Sequence, residues 1–168
     1  MATSRRVIFL PGVSGDGRFW QPVAERLPPC EKILVDYPGA GTIPHSSSVR
    51  SFDDLVALVV TRMNRPVDVV AQSMGGVIAV QAALARPQAV RRLAYQVDLT
   101  DQLHRLRIPT LLLWSDADEI SPRAVGEHLS RLLPDSKLIV IKGGDHMFAR
   151  DRPAEVTPHI ERHLFGTR

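Results

Sequence analysis

A single cysteine in 168 residues excludes an internal disulfide, and a chain of this length needs none. That cysteine, Cys30, follows Pro28-Pro29 in an expected loop and is read as inert. No apolar run approaches the roughly 20 residues of a membrane span. Arg5-Arg6 precedes only Val7-Ile8-Phe9-Leu10 before Pro11-Gly12, too short for the core of an export signal. The expected location is therefore cytoplasmic, with no membrane partner. Charge of one sign is not concentrated anywhere. The formal net charge is +3, and the basic residues are scattered singly or in pairs. Arg5-Arg6 and Arg91-Arg92 read as solvated strand ends, so no nucleic-acid partner is expected. There is no internal repeat, low-complexity stretch or linker, which predicts a single domain over 1–168.

Hydrophobic residues make up 44% of the chain. A chain this long buries roughly 70% of its unfolded surface, enough for a full core. Short apolar runs alternate with helical patterns. Strands are expected at Val7 to Leu10, Ile33 to Val35, Val67 onward, Val90 to Val97, Thr110 to Trp114 and Leu138 to Ile141. Phe19, Trp20, Val23, Ala24 and Leu27 recur at helical spacing. Ser51 with Asp54 reads as a helix start, followed by an apolar stripe from Phe52 to Met63. Leu99, Leu103 and Leu106 suggest a short helix. Ser121 is expected to cap a helix with Val125, His128, Leu129, Leu132 and Leu133 facing inward. In a last helix Pro158 marks a start or a kink. Such alternation predicts a three-layer α/β/α sandwich on a mostly parallel sheet of about six strands.

In such sheets ligands bind beyond the carboxyl ends of the strands. Three chemically competent groups follow strands there. Ser73 stands between the β-branched run Val67-Asp68-Val69-Val70 and the Ala-rich run after Met74, with small residues at 71 and 75. A strand turning sharply into a helix strains its corner residue and lifts the side chain clear of the sheet. The N–H of Met74, at the helix start, faces the same space and can stabilise negative charge. The loop after Trp114 carries Asp116, Asp118 and Glu119, and the loop after Ile141 carries Asp145 and His146. Serine, acid and histidine thus come in that chain order at one sheet edge.

Ala71-Gln72-Ser73-Met74-Gly75 resembles the Gly-x-Ser-x-Gly nucleophile corner of the α/β-hydrolase superfamily, with Ala71 in place of the first glycine. The resemblance runs from about Arg5 to Leu164. Leu10-Pro11-Gly12-Val13 stands where the family has a His-Gly oxyanion loop, and Asp36-Tyr37-Pro38-Gly39-Ala40-Gly41 is similar to its Asp-x-Pro-Gly-x-Gly turn. Ser115-Asp116-Ala117-Asp118-Glu119-Ile120-Ser121-Pro122 is similar to the acid motif, with the acid at Asp118. Gly144-Asp145-His146 is similar to the terminal Gly-x-His.

The resemblance implies Ser73 as nucleophile, His146 as its base and Asp118 as the acid that fixes the histidine. The backbone N–H groups of Val13 and Met74 form the implied oxyanion hole. Asp116 and Asp98 remain alternative acids, and Asp16 is expected to face solvent. Trp20 and Phe148 are candidate substrate-lining residues, with core packing as the other reading. No cofactor or metal is implied; His159 and His163, four apart, read as a solvated helix face.

About a dozen residues separate Val97 from Pro109, too few for the family's helical cap. Its first two strands also lack sequence to form them. A minimal, cap-less fold with an open site is therefore expected. An open site suits small or short-chain carboxylic esters. Thioesters and lactones stay open as substrates. Two other readings are a binding or signalling protein with little turnover, and a homo-oligomer whose partner chain covers the site.

Overall fold

The structure, a computed structural model, describes residues 5–40, 42–95 and 103–166. Two strands carry the centre of the sheet because they are largely apolar. β3 (Val67–Ala71) and β5 (Thr110–Ser115) are buried at every residue, as strands covered on both faces must be. Around them lie β1 (Arg6–Leu10), β2 (Glu31–Leu34), β4 (Val90–Tyr95) and β6 (Ser136–Ile141). The six are ordered β2-β1-β3-β4-β5-β6 and every pairing is parallel. The expected three-layer sandwich on a six-stranded parallel sheet is what forms.

Alternation along β1 divides the core. Ile8 and Leu10 face one layer, packed by α2 (Phe52–Thr61), α3 (Met74–Ala85) and α4 (Arg123–Leu132). Val7 and Phe9 face the other, packed by α1 (Gln21–Ala24), α5 (Phe148–Asp151) and α6 (Pro153–Phe165). The start of α2 is set locally. Ser51 Oγ accepts the N–H of Asp54, and the Asp54 carboxylate accepts the N–H of Ser51, a reciprocal cap.

Several expectations change at this level. The helix expected around Leu103 and Leu106 is a single 3-10 turn, Leu103–Arg105. Leu99, Asp98 and the end of the expected fourth strand lie outside the described residues. Ser121 does not cap α4. Pro122 stands at that position, and the Ser121 carbonyl instead accepts the indole N–H of Trp114 at 2.8 Å. His128 faces solvent, because the buried stripe of α4 is centred on Gly126 and Leu129. α6 begins at Pro153, where proline suits a first turn, and runs on through Pro158. Arg5 and Arg91 are not merely solvated. They pair with Asp68, fully buried within β3, at 2.6 and 3.2 Å, and a buried carboxylate requires such partners. Among the described residues no helix is long and apolar enough to cross a membrane.

Candidate active site

Chain direction across the sheet reverses between β1 and β3. β2 lies on the far side of β1, while β4 to β6 continue beyond β3. Where the order reverses, neighbouring crossovers leave on opposite faces and open a crevice at the carboxyl ends. Leu10 and Ala71 pair in register there, so the loop after β1 and the corner after β3 emerge side by side.

Ser73 is that corner. Its φ is 51° and ψ −127°, the one positive φ at a non-glycine among the described residues. Such a backbone costs of order 1–3 kcal/mol and persists only where its surroundings impose it. Two glycines impose it here. A Cβ on Gly75 would stand 2.4 Å from the Pro11 carbonyl oxygen and 2.6 Å from that of Leu10. A Cβ on Gly12 would meet the Gln72 amide at 2.4 Å and Ser73 Cβ at 3.2 Å. The first turn of α3 thus packs directly on the end of β1, and the loop after β1 packs on Ser73. The N–H groups of Gly75 and Gly76 return to the carbonyls of Gln72 and Ser73, while Met74 opens the helix, where an N–H has no partner four residues back.

The loop after β1 is braced from beneath. Trp20 donates its indole N–H to the Leu10 carbonyl at 2.9 Å, and the Tyr37 hydroxyl donates to the Pro11 carbonyl at 3.1 Å. Burial pushes the Tyr37 phenol well above its usual range, so it remains a donor. Val13, further along this loop, exposes 84% of its surface. Asp16 is committed to Arg18, whose side chain and backbone N–H hold its carboxylate below the ordinary range. Trp20 and Phe148 both belong to the core, with Phe9, Phe19 and Val70, and line a small, mostly apolar pocket with Gln72 and Leu113.

The acid and the histidine come from adjacent strands. β5 and β6 pair from Thr110↔Ser136 to Ser115↔Ile141, so their following loops leave together. His146 Nδ1 lies 2.8 Å from Asp118 Oδ2. The other carboxylate oxygen of Asp118 accepts the N–H groups of Ile120 at 2.9 Å and Ser121 at 2.8 Å. One oxygen is thereby anchored to backbone and the other is presented to the imidazole. The Asp118 side chain is fully buried, whereas His146 keeps 13% exposure.

Two further contacts bind these loops. Ser115, buried at the end of β5, donates its hydroxyl to the Gly144 carbonyl. Asp116 Oδ1 accepts the Gly143 N–H at 2.5 Å. Asp116 is therefore a loop fastener and Asp118 the partner of the histidine, as the motif spacing favoured. Asp145 turns back to the Met147 N–H, and Glu119 is exposed. The sequence alone does not single out Ser115, since a polar residue ending a buried strand carries no signal of its own until the neighbouring loop is in place.

A parallel α/β sheet with a serine at a strained strand–helix corner and a histidine–carboxylate pair at the same edge defines a class. The chain belongs to the alpha/beta hydrolase family, whose model matches residues 7–95, more than half of its length. It is similar to the 2-succinyl-6-hydroxy-2,4-cyclohexadiene-1-carboxylate synthase of Salmonella arizonae, 36% identical over 80 residues, 46% of this chain and 32% of that protein. The matched segment thus spans about a third of that relative. Among solved structures it resembles carboxylesterase CesB of Bacillus subtilis, with a TM-score of 0.84 at 14% identity over 100% of this chain and 86% of the other. It also resembles a thermophilic esterase from Thermogutta terrifontis, with a TM-score of 0.83 at 20% identity over 96% and 90%. At such identities these likenesses describe the fold.

Proposed function

We propose that this protein is a serine hydrolase that cleaves small or short-chain carboxylic esters through an acyl-enzyme. The observation that carries the reading is the 2.8 Å contact between His146 and Asp118 at the edge where Ser73 occupies its strained corner. In this reading Ser73 Oγ attacks the ester carbonyl and His146 Nε2 takes its proton. Asp118 holds Nδ1–H, fixes the tautomer and stabilises the imidazolium as it forms. The carbonyl oxygen becomes an oxyanion, received by the backbone N–H groups of Val13 and Met74. Collapse expels the alcohol, protonated by His146, and water repeats the sequence on the acyl-serine to release the acid.

The short link 96–102 between β4 and Leu103 has no length for a helical cap, which favours small substrates over long ones. Exposed Val13 and Ile120, on loops at the same edge, supply apolar surface for a short acyl chain. The active protein is taken to work without cofactor or metal.

The test is labelling with a fluorophosphonate, together with turnover of p-nitrophenyl esters of rising chain length. The expected result is labelling of wild type and not of Ser73→Ala, with the highest kcat/KM at short chains. Wild-type protein that stays unlabelled beside a reactive control esterase, or a Ser73→Ala variant that hydrolyses as well as wild type, would sink the reading. An unlabelled protein would instead favour a scaffold that binds without turning over.

A further inference from the structure

The turn that follows β2 supplies no group to the serine, the histidine or the acid, yet it is stitched to the loop after β1 at several points. Asp36 Oδ1 accepts the Gly17 N–H at 2.8 Å. The Tyr37 N–H donates to the Gly15 carbonyl at 2.9 Å, and the Tyr37 hydroxyl donates to the Pro11 carbonyl at 3.1 Å. Gly15 stands at a φ of 67°, and a Cβ there would lie 2.4 Å from Ala40 Cβ and 3.2 Å from Tyr37 Cβ. Tyr37 keeps only 3% exposure, and Pro11 is buried with it.

We propose that Tyr37 is a positioning residue for the oxyanion hole, fixing through the Pro11 carbonyl the peptide planes that aim the Val13 N–H. This role presupposes that Ser73 attacks an ester. A trans peptide is planar, with its C=O and N–H pointing opposite ways. The Gly12 carbonyl accepts the Gly15 N–H at 3.0 Å, which closes a turn and points the Val13 N–H out of it. One residue earlier, the Pro11 carbonyl is held between the Tyr37 hydroxyl and Gly75, where a Cβ would stand 2.4 Å from its oxygen. Gly75 belongs to the first turn of α3, next to Met74. Tyr37 thus grips the loop where it touches the helix that carries the other donor. Gly12 has no side chain to resist rotation of the peptides on either side of it. Without the hydroxyl, the buried Pro11 carbonyl loses that bond and is driven to turn toward another donor. Such a turn carries the Val13 N–H away from the position of the oxyanion. Burial pushes the Tyr37 phenol up, so the hydroxyl donates throughout ordinary assay pH.

Tyr37→Phe removes one hydroxyl and keeps the buried ring, so the fold is retained. Two measurements on this variant test the assignment, turnover of p-nitrophenyl butyrate and inhibition by butylboronic acid. In the boronate adduct Ser73 Oγ bonds to boron, its proton passes to His146, and a boron-bound oxygen takes the oxyanion position. Loss of one oxyanion donor costs about 10²–10³ in rate, so displacing one should lower kcat about tenfold to a hundredfold. KM should stay within about twofold while butylboronic acid binds about tenfold more weakly, since only the tetrahedral species uses the hole. Ser51→Ala, a destabilised variant of α2, should leave kcat and boronate affinity unchanged, which separates the effect from lost stability. A Tyr37→Phe protein equal to wild type in both measurements overturns the assignment, as does one whose kcat falls with boronate affinity intact. Wild-type protein that neither hydrolyses the ester nor binds the boronic acid removes the ester reading itself, and the role of Tyr37 with it.

Discussion

The imidazole of His146 stands 2.8 Å from the carboxylate of Asp118, although 28 residues of chain separate them. Nothing local joins the two. They meet because β5 and β6 are parallel neighbours in register, so that the loops leaving their ends start side by side. The carboxylate is also held on its other oxygen, by the N–H groups of Ile120 and Ser121.

Replacing Asp118 with Asn keeps the shape and an acceptor for those two N–H groups but removes the charge facing His146. Ester turnover should fall by roughly 10⁴-fold, the loss typical when a triad acid is neutralised and the wrong tautomer results. The melting temperature should move little. Steady-state kinetics beside a thermal scan separates these outcomes. A variant with near wild-type kcat would remove Asp118 from the mechanism.

Gly75→Ala would drive a methyl against two backbone carbonyls, at 2.4 and 2.6 Å. Neither carbonyl can rotate away, so α3 must lift from β1. Overpacking of this kind costs about 1–3 kcal/mol. The same shift moves Met74 and Ser73 relative to the loop after β1, so kcat should drop alongside the urea midpoint.

Ser115→Ala removes the hydroxyl that receives the Ala117 N–H and donates to the Gly144 carbonyl. Leaving those groups unpaired should cost about 1–3 kcal/mol. Because Gly144 lies two residues before His146, kcat should fall more than KM rises. A variant that lost stability with its kinetics intact would limit Ser115 to a structural role.

Ser51→Ala serves as a control, since its cap is made with Asp54 of the same helix. Loss of the reciprocal cap of α2 should destabilise by about 1 kcal/mol and leave ester hydrolysis unchanged. Chemical denaturation with parallel activity assays checks it.

Stability should also depend on His163. Burial, then Arg92, lowers its pKa below the ordinary 6.5, opposed by hydrogen bonds to the Leu93 and Pro109 backbone and then by Asp68, with His159, Arg162 and Lys137 lining one cavity with it. The unfolded chain therefore binds more protons than the folded one once pH drops through about 6.5. Folding stability should decline as the pH falls from there and level off below the lowered folded value. His163→Gln should flatten that part of the profile in urea titrations.

Much of this architecture could be read from residues alone, and for an identifiable reason. Predominantly apolar runs such as Val67–Ala71, broken only by Asp68, and Thr110–Trp114 suit a strand covered on both faces, and their alternation with helical stripes admits few sheets. Ser73 was conspicuous because a strand–helix corner demands small neighbours, and Ala71 and Gly75 supply them. Asp118 was separable from Asp116 only by motif spacing. What local pattern could not convey was contact across the fold. Ser121 looked like a cap, yet the indole of Trp114 uses its carbonyl while Pro122 starts the helix.

His159 and His163 show the division most plainly. Their spacing of four puts them on one side of α6, and that much is a property of the helix. Whether that side meets water or a cavity depends on where Arg92 and Lys137 arrive from other strands. Hydrophobic periodicity is local and therefore inherent in the order of residues. The meeting of Asp118 with His146, or of five basic side chains around one cavity, depends on strand order, and strand order exists only once the sheet has closed.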